Sequence, residues 1–235
     1  MSTTYDPSPL TPIPAPRRRT ALAVTGTVMT VLGGLAAAAA AAVIVGFGSS
    51  GSLDSGSTEV STSSAALVTD VAAMEDVDGI AAVTGSPTLR LSATSTGPSG
   101  VFIGVGPAGA VTEYLSGVAI DRITDFSLDP LRLDVTGEPG VAAAAPPGDQ
   151  DFWVASAASQ SVADLAWPVR DGNYQLVVMN ADGSPGLTST AQVRLELPNA
   201  FPVSLGVLIG SGVLATAGIA LVVLAVSRSR RTATR

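Results

Sequence analysis

Two kinds of hydrophobic pattern divide this chain. Ala21–Phe47 and Val203–Val226 are unbroken, uncharged apolar runs, whereas the stretch between them is apolar only at short intervals. A helix needs about 20 apolar residues to cross a hydrocarbon core, and only helices or closed barrels satisfy their backbone there. The runs therefore predict two transmembrane helices, over residues 20–47 and 202–226. An export signal is the alternative for the first run, since arginines precede it and Ala-x-Ala sites lie within it. A signal's apolar core spans only about 7–15 residues, which favours an uncleaved anchor.

Between the runs the period changes. Residues 48–63 (GSSGSLDSGSTEVSTS) are polar and small, and predict a flexible Gly/Ser/Thr linker. From 64 to 199, short β-type stretches alternate with Gly, Pro and Asp turns: TLRLSAT, VFIGV, VAIDRITDF, LRLDVT, DFWVASA, LAWPV, NYQLVVMN and STAQVRLEL. Leu89, Leu91 and Ala93 share one strand face and Arg90 and Ser92 the other. Pro107, Glu113 and Gly117 frame one short helix with Val111, Tyr114 and Leu115 on its apolar stripe. Leu67–Thr84 reads equally as an edge hairpin or a short helix. The pattern predicts a mainly β domain: a β-sandwich, jelly-roll-like, with one short helix, flanked by the two transmembrane helices. With no cysteine, the Cys…Trp…Cys signature of antibody-type sandwiches is missing.

Charge adds an orientation. Seven of the 12 basic residues lie beyond the outer ends of the two runs, clustered at Arg17, Arg18, Arg19, Arg228, Arg230 and Arg231, with Arg235 last. Clustered arginine marks the cytoplasmic end of a span. Both termini are thus expected in the cytoplasm of a plasma-membrane protein, with the central domain outside. Residues 1–19 form a Pro-rich tail with no apolar period, expected to be disordered, and 227–235 form a basic tail. The enclosed stretch carries 18 acids against five arginines, which argues against nucleic acid as a partner.

Composition removes several chemistries. The chain has no histidine and no cysteine, hence no imidazole base, disulfide, thiol nucleophile or thiolate zinc site. Every cation is arginine, so Schiff-base chemistry is also excluded. GVGPAG (104–109) has glycines between a strand and a helix but lacks the lysine of a phosphate loop. Asp121, Asp125 and Asp129 are spaced in fours on a strand-like run, with no reason to converge as acid and base. Two segments remain as a candidate binding surface. PPGDQDFW sets Asp149 and Asp151 beside Trp153, an acid-plus-aromatic pairing suited to sugars, and MNADGSPG sets Asn180 and Asp182 around a turn that shares part of a calcium-loop spacing. A core aromatic strand and a plain Asp-Gly turn account for the same residues. No catalytic, cofactor-binding or metal residue is assigned, and no cofactor is expected.

VFIGVGPAGAVTEYLSGVAIDRITDF (101–126), PPGDQDFWVAS (146–156) and WPVRDGNYQLVVMNADGSPG (167–186), followed by the exit helix, together resemble an uncharacterised family of two-pass membrane proteins from actinobacteria. The resemblance implies an actinobacterial membrane protein with an extracytoplasmic β domain, and it brings no activity with it. The expected function is a non-enzymatic, membrane-anchored envelope protein whose outward domain contacts another protein or the cell wall. The alternative is a module binding carbohydrate or a lipid headgroup. Expected partners are the bilayer, an envelope protein and cell-wall glycan.

Overall fold

The computed structural model describes residues 18–128 and 131–230. The proline-rich tail through Arg17, the arginine at 231 with the residues after it, and Asp129 lie outside the described residues. In chain order the elements are α1 (Arg18–Phe47), β1 (Ser52–Ser61), β2 (Ala66–Thr69), β3 (Ala72–Met74), α2 (Val77–Thr84), β4 (Thr88–Ser95) and β5 (Val101–Pro107). There follow α3 (Ala108–Tyr114), β6 (Ile120–Leu128), β7 (Leu131–Glu138), a 3-10 turn (Pro147–Asp149), β8 (Ala155–Ser159), β9 (Val162–Pro168), β10 (Gly172–Met179), β11 (Thr188–Glu196) and α4 (Ala200–Arg230). Two compact units result: one formed by the long terminal helices, the other by Val43–Ser204.

Among the described residues, α1 and α4 are the two helices long and apolar enough to cross a membrane, over Ala21–Phe47 and Ala200–Ser227. They run antiparallel and meet backbone to backbone. A Cβ added at Gly26 would stand 2.7 Å from the Gly218 carbonyl oxygen, and one at Gly33 would stand 2.8 Å from that of Ser211. The buried positions recur every seven residues: Gly26, Gly33 and Ala40 in α1, and Ser211, Gly218 and Ala225 in α4. Seven residues are nearly two turns, so this spacing keeps one seam facing the partner along the whole length, and small side chains there let the backbones touch. The small residues that the sequence offers at spacings of four, Gly206 and Gly210, have open space around them, as does Gly212.

The second unit contains two sheets. One is four-stranded, β1-β11-β4-β9; the other runs β7-β6-β2-β10-β5-β8, with β3 pairing β10. All neighbours are antiparallel except β2 and β6. Residues 48–63 are not a linker. They supply β1, which pairs with β11 from Ser52↔Glu196 to Ser61↔Thr188. A polar segment can form a strand here because an edge needs backbone pairing and few apolar contacts. Only Val60 of this segment enters the core as a hydrophobic residue, and Gly56, at φ 67°, accommodates the bulge between Asp54 and Ser57. The Leu197 amide donates to the Gly51 carbonyl at 2.8 Å, so the chain enters and leaves this unit at neighbouring points.

The ambiguous stretch Leu67–Thr84 resolves into β2, β3 and α2, which makes two short helices where the sequence predicts one. Between the sheets lies a core of Leu91, Ala93, Val101, Ile103, Val105, Ala163, Leu165 and Trp167. The opposite face of the larger sheet carries Phe102, Val177 and Met179, and is covered by Val111 and Leu115 around α3 and by Phe152 and Trp153. GVGPAG is explained by those rings. A Cβ at Gly104 would stand 2.7 Å from both Phe102 and Trp153, and one at Gly106 would stand 3.1 Å from Phe152.

Candidate functional site

The centre of the larger sheet, around β2, β10 and β5, is thus covered on both faces, while the four-stranded sheet is covered on one. Its other face is a concave trough of about 470 Å³ lined by Arg90, Ser92, Asp164, Ala166, Gln192 and Arg194. Strand alternation creates it. β9 buries Ala163, Leu165 and Trp167 and turns Asp164 and Ala166 out; β4 buries Leu91 and Ala93 and turns Arg90 out. Register then assembles the surface. Arg194 stands opposite Arg90 and Gln192 opposite Ser92, while Ser92 stands opposite Asp164.

Two guanidiniums directly across a ladder repel one another, and each is answered by a carboxylate. Arg90 Nε donates to Glu196 Oε1 at 2.8 Å. Arg194 Nε donates to Asp54 Oδ2 at 2.9 Å, and Gln192 Nε2 donates to Asp54 Oδ1 at 2.9 Å. The Gln192 hydrogen bond, then that of Arg194, pulls the Asp54 carboxyl down to about 2. Among the described residues, the terminal nitrogens of Arg90, the Ser92 hydroxyl and the Asp164 carboxylate make no hydrogen bond within the chain. The trough therefore offers cationic donors on β4 and an anionic acceptor on the neighbouring β9, one strand spacing across and two residues along, about 7–8 Å away. That suits a polar ligand carrying both hydroxyls and charge, or a complementary protein surface.

The sign of the acid response follows from Asp54. Its folded pKa lies below its ordinary value, so its contribution to stability is present above about pH 4 and is lost as pH falls towards 2. Both groups are solvent-exposed, so screening keeps this contribution small. In urea unfolding of the full-length protein in detergent, the midpoint should fall between pH 5 and pH 2.5 by less in Asp54→Asn than in the wild type.

The residues singled out from the sequence lie elsewhere. The MNADGSPG turn packs on the residues just before PPGDQDFW: a Cβ at Gly183 would stand 2.7 Å from the Ala144 carbonyl oxygen. Asp149, Asp151 and Asp182 are exposed. Asp182 accepts from the Ser184 amide at 2.9 Å and from its hydroxyl at 2.6 Å, which lowers its pKa. Asn180 is buried and spends its amide on the Ser184 and Pro185 carbonyls. Trp153 belongs to a ring cluster, 4.4 Å from Phe152 and 5.2 Å from Phe102, with Nε1 donating to the Pro147 carbonyl at 2.9 Å. Tyr114 closes the cluster, its hydroxyl bonded to the Ala145 carbonyl and its pKa pushed up to about 12 by burial. Asp121 is tied to the Thr62 and Ser64 hydroxyls at 2.6 and 3.0 Å, which makes it a brace between β6 and the β1–β2 connection. Among the described residues, no group of three or more His, Cys, Asp or Glu side chains could hold a metal ion.

Arg90, Asp164, Gln192 and Arg194 were not singled out from the sequence. Their only signal was to be the polar positions of alternating strands, and alternation does not say which strands are neighbours. The chain matches no family model and no curated protein.

Proposed function

We propose that this is a non-enzymatic protein of the plasma membrane, with both tails in the cytoplasm and an outward domain that binds another envelope protein or the cell wall through the trough. The trough carries this reading: it is the uncovered face of the smaller sheet, and it holds unspent donors and an acceptor. Orientation is supported by the arginines outside both apolar runs. The actinobacterial resemblance of residues 101–126, 146–156 and 167–186 points to the same arrangement. The domain reads as a β-sandwich of jelly-roll type, because β1-β11-β4-β9 and β2-β10-β5-β8 alternate along the chain as two interleaved Greek keys. The β6–β7 hairpin is then an insertion beside β2.

Affinity capture of the full-length protein from its native membrane tests this proposal. A cross-linked partner recovered with the wild type and lost with Arg90→Ala/Asp164→Ala is the expected result, and recovery of monomer alone would overturn it. Orientation is read with single cysteines at Ser95 and Thr234: an impermeant thiol reagent on intact cells should label only the first. A second reading, a module for carbohydrate or lipid headgroup, is favoured by the unspent terminal nitrogens of Arg90, which suit carboxylate or phosphate. Binding of the purified protein to glycans or lipid headgroups, abolished by the same double substitution, would select it.

A further inference from the structure

We propose that the C-terminal half of α2 is a foot that lies in the headgroup region of the bilayer, beside the point where α4 enters it; this rests on the reading of α4 as a membrane span. α2 is an eight-residue helix, VDGIAAVT, with an inner stripe of Val77, Ala81 and Thr84. Its outward side is apolar as well, with Ile80 49 % and Val83 59 % exposed and Ala82 exposed between them. A surface helix keeps its outer face polar, and one that is apolar all round is covered by something. The chain's own placement of this helix says what covers it. The Thr84 carbonyl accepts from the Asn199 amide at 2.8 Å, and a Cβ at Gly85 would stand 3.3 Å from the Asn199 side chain and 3.5 Å from Pro198. Asn199 immediately precedes Ala200, the first residue of the apolar span.

Distances fit this occupant. Ile80 lies four residues from Thr84, about 6 Å along the helix axis. The headgroup region of one leaflet is about 5–8 Å thick, and interfacial helices bury their apolar face about 5–10 Å deep. The charge on α2 is placed accordingly: its acid, Asp78, is in the first turn, at the end away from Asn199, whereas Ile80–Val83 carries no charge. The foot would add a third attachment to the two chain crossings and restrain rotation of the outward domain about them.

The absence of native cysteine allows a direct test. Val83→Cys, Val213→Cys and Ser95→Cys, each carrying an environment-sensitive fluorophore, are reconstituted as full-length protein in phosphatidylcholine vesicles containing nitroxide lipids. Val83 should be quenched most by nitroxide near the headgroup, Val213 most by nitroxide at the chain end, and Ser95 by neither. Quenching at Val213 without quenching at Val83 would overturn the foot and leave the spans standing. No quenching at Val213 would overturn the spans, and the foot with them.

Discussion

Gly218→Leu should part the two long helices, while Gly210→Leu should leave them paired. At Gly218 a Cβ would stand 2.6 Å from the Gly26 carbonyl oxygen, 2.5 Å from Thr30 Oγ1 and 2.9 Å from the Thr30 amide nitrogen. Two of those neighbours are backbone, which cannot swing aside, so a leucine there must push the helices apart. Thr30 is itself held, its hydroxyl bonded to the Gly26 carbonyl at 2.8 Å. Gly210 has nothing within 4 Å, so a leucine there adds an apolar side chain into open space. On the reading of α1 and α4 as membrane spans, the helices gain little from hiding apolar surface in lipid, so close packing carries their association. Overpacking of this kind costs about 1–3 kcal/mol, and each 1.4 kcal/mol is about tenfold in pairing. A cysteine at Ala215, whose Cβ faces Gly33 across the seam, reads the outcome through its reaction with a lipid-soluble thiol reagent. Labelling should rise steeply in Gly218→Leu and stay low in Gly210→Leu. Equal labelling in both would mean that the heptad seam does not carry the pairing.

Trp153→Ala should be among the most destabilising single changes in the two-sheet domain. The indole packs against Phe102 and Phe152, meets Tyr114 edge-on at 6.0 Å, and fills the space left by Gly104. Removing a tryptophan from such a cluster costs about 3–5 kcal/mol, and partial exposure puts this one near the lower figure. The Pro147 carbonyl also loses its donor. For a domain of this size about 3 kcal/mol lowers Tm by roughly 6–12 °C. Differential scanning fluorimetry of the full-length protein checks it. The measurement also separates two roles. A tryptophan that stacks on a ligand from the surface could be removed with little change in Tm and loss of binding, whereas a packing tryptophan shows a lowered Tm whether or not ligand is present.

Much of the architecture was legible because its causes are local. A long apolar helix depends on the length and composition of one segment, so α1 and α4 stand where the apolar runs predict helices. Helix α3 was readable from Pro107, Gly117 and a stripe one turn apart, and Val111 and Leu115 do point into the core. β4, β9 and β10 follow their own alternation, and β5 its continuous apolar run. The polar segment 48–63 went unread because β1 has little pattern of its own; it is a strand because β11 offers an edge to it. Leu67–Thr84 was ambiguous for a similar reason, since three short elements share too few residues for any period to emerge.

The sequence by itself determined the two apolar helices, the β character of what lies between them, and the chemistries that are excluded. Those are properties of composition and of neighbours along the chain. Tertiary structure alone decided which positions meet. It selected a seven-residue seam over the four-residue one, because long antiparallel helices stay in contact only where the repeat nearly closes two turns. It turned Trp153 and Asn180 inward, because Gly104 leaves room for a ring and the turn after Met179 needs an amide inside it. It drew Arg90, Asp164, Gln192 and Arg194 from three strands onto one open face, because register between strands distant in sequence is set by the packing of the core beneath them.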